Sequence, residues 1–389
     1  MTLSKKDTAF LKGIAILMIM LHNFCHHLPM SVTENEYTFA IERFEKLCSC
    51  FSNGGPHIVL NTISHFGHYG VPLFLFLSGY GLVCKYELSG HRRHHRDFGH
   101  RTLRDLKFVW GHMVKMWKLM LPAIAIYWSY CMFSGETWRV QWGDLAAMLT
   151  FTSNLFIERE LILGPWWFFS LIIQLYIVYR LVLYHHRDGF TLVAITAVCF
   201  MLQAYLYIAD VRLTPEGAIQ LFDKNPCHHS LFKYCRYNFV SWLLPFAAGI
   251  LTARSRMFQD LRPGALPLLL CSIAGVGLTV WAATDAMQWL LSPLYALMAL
   301  LPMVFLIKRG VVRPPLEWIG GISATLFALH PIARAMTITA AKNAEMAGHW
   351  METYLHIIHY LLISVVLAWL LNIALKHFDK AISATWRKK

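Results

Sequence analysis

Histidines set along apolar segments are the residues of this chain best suited to chemistry. A neutral imidazole takes a proton from a hydroxyl near neutral pH, and a polar group held in hydrocarbon is costly enough to need a reason. His22 stands about twelve residues into the first apolar run, roughly 18 Å along a helix. His330 comes late in another run and precedes Pro331, which kinks or ends a helix. His22 and His26 share a helix face at i,i+4, a spacing that suits metal ligands, but the glutamate that metalloprotease motifs place between such a pair is absent and no metal is expected. His356 and His359, at i,i+3, fall near an interface where hydrated histidines are ordinary. Each histidine also has a plainer reading, as a ring bonded to a neighbouring carbonyl and gluing helices together. The other polar residues that stand out inside the runs are Lys12, Asn23, Ser78, Gln174 and Ser323. The runs are expected to work without a carboxylate relay, which argues against a transporter built on one.

The elements that would position these groups are membrane helices. The 389 residues are 57% hydrophobic and 15% charged, a composition from which no water-facing surface can be built. Apolar runs of roughly 18 to 24 residues are long enough to cross about 30 Å of hydrocarbon as helix. Ten spans are expected, at 10–29, 67–86, 117–134, 164–184, 190–208, 237–253, 264–283, 287–307, 316–335 and 354–376. An even number puts both termini on one side. The segments on that side hold 24 of the 35 lysines and arginines and those on the other hold 10, with Lys12 inside span one. Basic residues are retained in the cytoplasm, so both termini are expected there. The fold class expected is all-α, a polytopic membrane helix bundle forming a single domain over 1–389.

The formal net charge of +13 lies between apolar runs and not on one polar domain, so it reads as a topology signal and excludes nucleic acid as a partner. The basic stretch His91-Arg92-Arg93-His94-His95-Arg96 fits the same role. The first run lacks a cleavage site and is expected to stay as a span. Of nine cysteines, Cys48, Cys50, Cys227 and Cys235 fall in loops expected outside, where disulfides can form. The polar loop 30–65 is expected to form a short helix and a turn over a mouth.

Four segments, in order, resemble the acyltransferase-three family of membrane O-acyltransferases. Span one reads Lys12-Gly13, an apolar run, then His22; span two reads Gly70-Val71-Pro72-Leu73-Phe74 through Ser78-Gly79-Tyr80. Span four carries Trp167-Phe168-Phe169-Ser170 and then Tyr176, and span nine carries Gly320-Gly321-Ile322-Ser323 and then Leu329-His330-Pro331. The resemblance implies a bacterial cytoplasmic (inner) membrane enzyme that uses acyl-CoA, with acetyl-CoA the first choice, to acylate a hydroxyl of a cell-surface or lipid-linked glycan. It implies His22 as catalytic base or transient acyl carrier, with no resident cofactor and only membrane lipids as further partners. Lys12 would bind the CoA portion, as would Lys115 and Lys118 ahead of Pro122, with Arg101 and Arg104 as an alternative phosphate site. Ser78, Trp167, Tyr176, Ser323 and His330 are the further substrate-binding positions carried with it. The chain departs from the family in having nine residues between Lys12 and His22 where ten are usual, which sets the two about 80° apart on a regular helix. It also has Ile172 where many members have glutamate. A glycan or lipid transporter is the rival from another class, and a receptor or scaffold a third.

Overall fold

Ser4 and Asp7 fix the start of the first helix. The Ser4 hydroxyl accepts from the Asp7 amide at 3.1 Å and the Asp7 carboxylate accepts from the Ser4 amide at 2.9 Å, which satisfies two donors that a helix start leaves open. The computed structural model describes residues 3–88, 98–135, 141–156, 164–260, 264–308 and 310–386; the basic stretch 91–96 lies outside them. In chain order the helices are α1 (Lys5–Cys25), α2 (Ile41–Asn53), α3 (His57–Phe66), α4 (Gly70–Tyr86), α5 (Phe98–Ser134) and α6 (Trp142–Leu149). There follow α7 (Trp167–Val178), α8 (Gly189–Ile208), α9 (Leu231–Cys235), α10 (Phe239–Arg254), α11 (Met257–Asp260) and α12 (Ala265–Ala282). The last are α13 (Ala286–Leu300), α14 (Met303–Leu306), α15 (Arg313–Gly321), α16 (Ser323–Met346) and α17 (Trp350–Trp386). Three two-residue strands, β1 (Arg212–Leu213), β2 (Ile219–Gln220) and β3 (His229–Ser230), pair antiparallel in the order β2-β1-β3 within one loop.

The fold is therefore the all-α helical bundle expected, and each of the ten expected runs is largely helical. Among the described residues, seven segments are long and apolar enough to cross a membrane: Lys5–Cys25, His57–Tyr86, Gly164–Leu183, Gly189–Ile208, Ala265–Ala282, Ala286–Leu306 and Trp350–Ala381. Helices α15 and α16, bent by 82°, make an eighth if they count as one broken span. The remaining two expected spans are helical but fall short of that standard. Helix α10 has 16 residues, under the usual range of about 17–25, and the expected span within α5 dilutes its apolar residues with Lys118, Pro122, two tryptophans and two tyrosines. Nor is the ninth run free of carboxylate, because Glu317 lies in it and accepts from Arg313 Nε at 2.7 Å.

Burial separates centre from periphery. The segment His57–Tyr86 is 78% buried, whereas α8 and α12 are 11% and 17% buried. Val193, Val198 and Met201 on α8 and Leu266, Leu269 and Ile273 on α12 are exposed, the surface that lipid covers in a helical membrane protein. Inside, α4 packs on α10, α1 on α15, and α16 on α17. The α1–α15 contact is close enough that a Cβ on Gly320 would stand 1.8 Å from the Ala9 carbonyl oxygen, so only glycine fits there. All nine cysteines are free thiols, including the four expected in outside loops.

Candidate active site

Helix α1 is regular from Lys5 to Cys25, so no bulge re-aims His22 towards the face of Lys12. What fixes His22 comes from a distant segment. Its Nδ1 lies 2.8 Å from the Ser64 carbonyl oxygen, an acceptor only, so Nδ1 carries the proton and Nε2 the lone pair. The ring is buried, and Nε2 has no hydrogen-bond partner among the described residues. Close passage of α1 over the start of the α4 segment requires glycine at 67, where a Cβ would fall 2.7 Å from the His22 Cβ.

The loop between α1 and α3 folds inward. The Ser64 hydroxyl donates to the Val32 carbonyl at 2.7 Å, and the Val32 amide donates to Asn61 Oδ1 at 2.9 Å. The Arg43 guanidinium donates to the carbonyls of Glu34 (2.8 Å) and Thr38 (2.6 Å). Arg236, from the far loop, donates twice to the Glu36 carbonyl, at 2.6 and 2.9 Å. Its guanidinium lies 4.8 Å from the Trp242 ring and 5.0 Å from the Trp289 ring, and the Trp289 indole donates to the Asn35 carbonyl at 2.5 Å. These bonds set Glu36 Oε2 3.9 Å from His22 Nε2 and Glu34 Oε2 3.5 Å from His26 Nδ1. Burial and the neighbouring Glu34 push the Glu36 carboxyl up to about 8, against the pull of Arg236 and of a hydrogen bond from Tyr37. Burial opposes ionisation of Glu34 too, but its bond with His26 outweighs that and holds it below the ordinary carboxylate range.

His22, His26 and Glu36 line a cavity of about 320 Å³ together with Trp167, Tyr237 and Arg334 among others. That volume is near the lower end of small-molecule sites, about 300–1,000 Å³. The wall opposite His22 is aromatic: Tyr37 stacks on Tyr237 with centroids 4.6 Å apart, and Trp167 meets both edge-on at 5.9 Å. Arg334, on α16, donates through Nη1 to the Asn23 carbonyl at 2.9 Å. It lines the cavity, and among the described residues it has no carboxylate partner in ion-pair range.

Of the residues expected from sequence, the structure brings His22 and Trp167 into this cavity. Ser78 and Tyr176 do not line it, and the Ser78 hydroxyl donates to the Phe74 carbonyl at 2.9 Å. His330 is buried behind the cavity wall, its Nδ1 near the carbonyls of Leu326 (3.1 Å) and Phe327 (3.0 Å) and its Nε2 without a partner. Ser323 is buried at the α15–α16 bend. Lys12 is half-buried and does not line the cavity. Arg101, Arg104, Lys115 and Lys118 all lie on α5, within an arc of roughly 100° at 100° per residue. Lys118 pairs with Asp379 at 2.5 Å, and Arg101 donates to His185 at 3.4 Å.

A family model described as an acyltransferase domain, of the third such type, matches residues 9–373. The chain belongs to the acyltransferase-3 family. Comparison with curated proteins and with solved structures gives no match. In this acyltransferase, sequence reasoning missed Glu34, Glu36 and Arg334 as site residues. Arg334 follows His330 by one helical turn, a spacing that could have placed it beside the site, but a charge at the end of an apolar run reads as a topology signal. The two glutamates sit in a polar stretch with the signature of a solvated loop.

Proposed function

We propose that this membrane acyltransferase moves an acyl group, acetyl first among candidates, from cytoplasmic acyl-CoA to a hydroxyl of a cell-surface or lipid-linked glycan, in a bacterial cytoplasmic (inner) membrane with both termini inside. The observation that carries this reading is the His22 ring, which lines the cavity, is clamped through Nδ1 to the Ser64 carbonyl, and keeps a buried Nε2 without a hydrogen-bond partner among the described residues. A base must be in the right tautomer and within reach of the hydroxyl it activates, and this clamp supplies the tautomer.

In the step, the acceptor oxygen attacks the thioester carbonyl while its proton passes to His22 Nε2. The tetrahedral oxyanion forms beside the Arg334 guanidinium, the kind of preorganised donor that stabilises such charge. The intermediate collapses by breaking the C–S bond, and the CoA thiolate takes the proton back from Nε2. Trp167, Tyr37 and Tyr237 offer flat rings on which a sugar ring stacks. The CoA phosphates would follow the basic arc of α5, with Lys12 deeper along the acyl-pantetheine route; Ser78 and Tyr176 would line that route, and His330 and Ser323 would hold the bend that presents Arg334.

The test supplies labelled acetyl-CoA to membranes holding the wild type or His22→Ala, with candidate glycans present. Label should enter acceptor only with the wild type, and equal labelling by both overturns the assignment.

A further inference from the structure

The i,i+4 pair of His22 and His26 lacks a third donor in sequence, and the fold supplies one. Glu34 arrives from the inward loop, and one ligand atom from each of His22, His26 and Glu34 lies within 4.8 Å of the other two. Its approach is fixed from behind by Arg43, which holds the Glu34 carbonyl, so the carboxylate is delivered by a braced backbone. Because His22 Nδ1 is committed to the Ser64 carbonyl, the atom His22 offers is Nε2, buried and without a hydrogen-bond partner among the described residues. A backbone carbonyl holding the remote N–H is the support that metal-ligating histidines usually have. Two imidazoles and one carboxylate are a donor set that zinc takes with a fourth position open. Zinc bonds of about 2.0–2.2 Å set ligand atoms roughly 3.3 Å apart, so the groups would close in by roughly 1.5 Å at most.

We propose that His22, His26 and Glu34 form a site for one divalent transition-metal ion of the zinc class, and that the bound ion shuts off acyl transfer. The ion takes the Nε2 lone pair that would otherwise accept the acceptor proton, and metal and hydroxyl then compete for one atom. The binding part stands on geometry alone. The inhibitory part rests on His22 being the base.

The experiment uses the full-length protein in detergent, stripped with chelator and titrated with Co²⁺, whose visible bands report a low-coordinate nitrogen and oxygen site. One equivalent should bind, zinc should displace it, and His26→Gln and Glu34→Gln, both of similar size to the residues they replace, should each abolish the bands. Zinc should inhibit acyl transfer by the wild type reversibly, chelator restoring the rate. The zinc concentration for half-inhibition, each variant referred to its own metal-free rate, should rise by at least about tenfold in Glu34→Gln. Absence of stoichiometric cobalt binding by the wild type overturns the site, as do bands that survive both substitutions. Cobalt binding as described, with a transfer rate indifferent to zinc or raised by it, overturns the inhibition. A protein that binds cobalt at these residues but transfers no acyl group sinks the acyltransfer reading while leaving the site intact.

Discussion

Arg334 carries its charge into the bundle with the Asn23 carbonyl as its hydrogen-bond acceptor among the described residues, and a guanidinium so placed is stabilised most when an anion comes to it. If that anion is the tetrahedral oxyanion, Arg334→Gln lowers kcat by about 10²–10³ and leaves KM for the acyl donor nearly unchanged, and Arg334→Lys regains part of the loss. Steady-state kinetics on purified protein check the split; a change confined to KM would assign Arg334 to ground-state binding instead. Glu36 gives a second residue-scale test. With its carboxyl pushed up to about 8, first by burial and then by Glu34, it is mostly neutral at pH 7, so glutamine is a close isostere. Glu36→Gln should keep activity within a few-fold at pH 7. Glu36→Ala, which opens the wall beside His22, should lose about tenfold or more; similar losses in both would mean that Glu36 works as a carboxylate.

At the scale of elements, His22 is placed by a three-way contact between α1, the start of the α4 segment and α3, whose Ser64 carbonyl holds the ring. Gly67→Ala would drive a methyl into His22 Cβ at 2.7 Å, whereas Gly81 has nothing within 4 Å of an added Cβ. Gly67→Ala should therefore cost at least about tenfold in rate, and Gly81→Ala should behave as wild type, with a melting curve in detergent to show that both fold. Equal rates for the two would remove the contact from the account. The helices were legible because runs of apolar residues have one outcome in a bilayer, and His22 was legible because a histidine there needs a reason. The loop was not. Thr33-Glu34-Asn35-Glu36 reads as solvated, and what pulls it inward is a set of bonds from Asn61, Ser64, Arg236 and Trp289, partners that local periodicity cannot reveal. The broken span was not legible: the sequence reads 316–335 as one run with a kink or end at Pro331, whereas α16 runs on through Pro331 and the 82° bend falls between Gly321 and Ser323.

For the whole molecule, the orientation proposed from the basic-residue asymmetry puts the inward loop and its cavity on the outer side and the basic arc of α5 on the cytoplasmic side. Cys48 is exposed on α2, so a membrane-impermeant thiol reagent should label it in right-side-out vesicles, and labelling only after the vesicles are opened would invert the topology. In the function we propose, an acyl donor on one side and an acceptor on the other would make the bundle a conduit for an acyl group, with His22 at the point where they meet. That claim is tested most directly in proteoliposomes of purified protein, by following labelled acetyl from acetyl-CoA into acceptor for the wild type and His22→Ala under single-turnover conditions. The account predicts transfer by the wild type and a rate lower by about 10²–10⁴ for a variant that keeps its melting temperature. Undiminished transfer by a folded His22→Ala protein would contradict it.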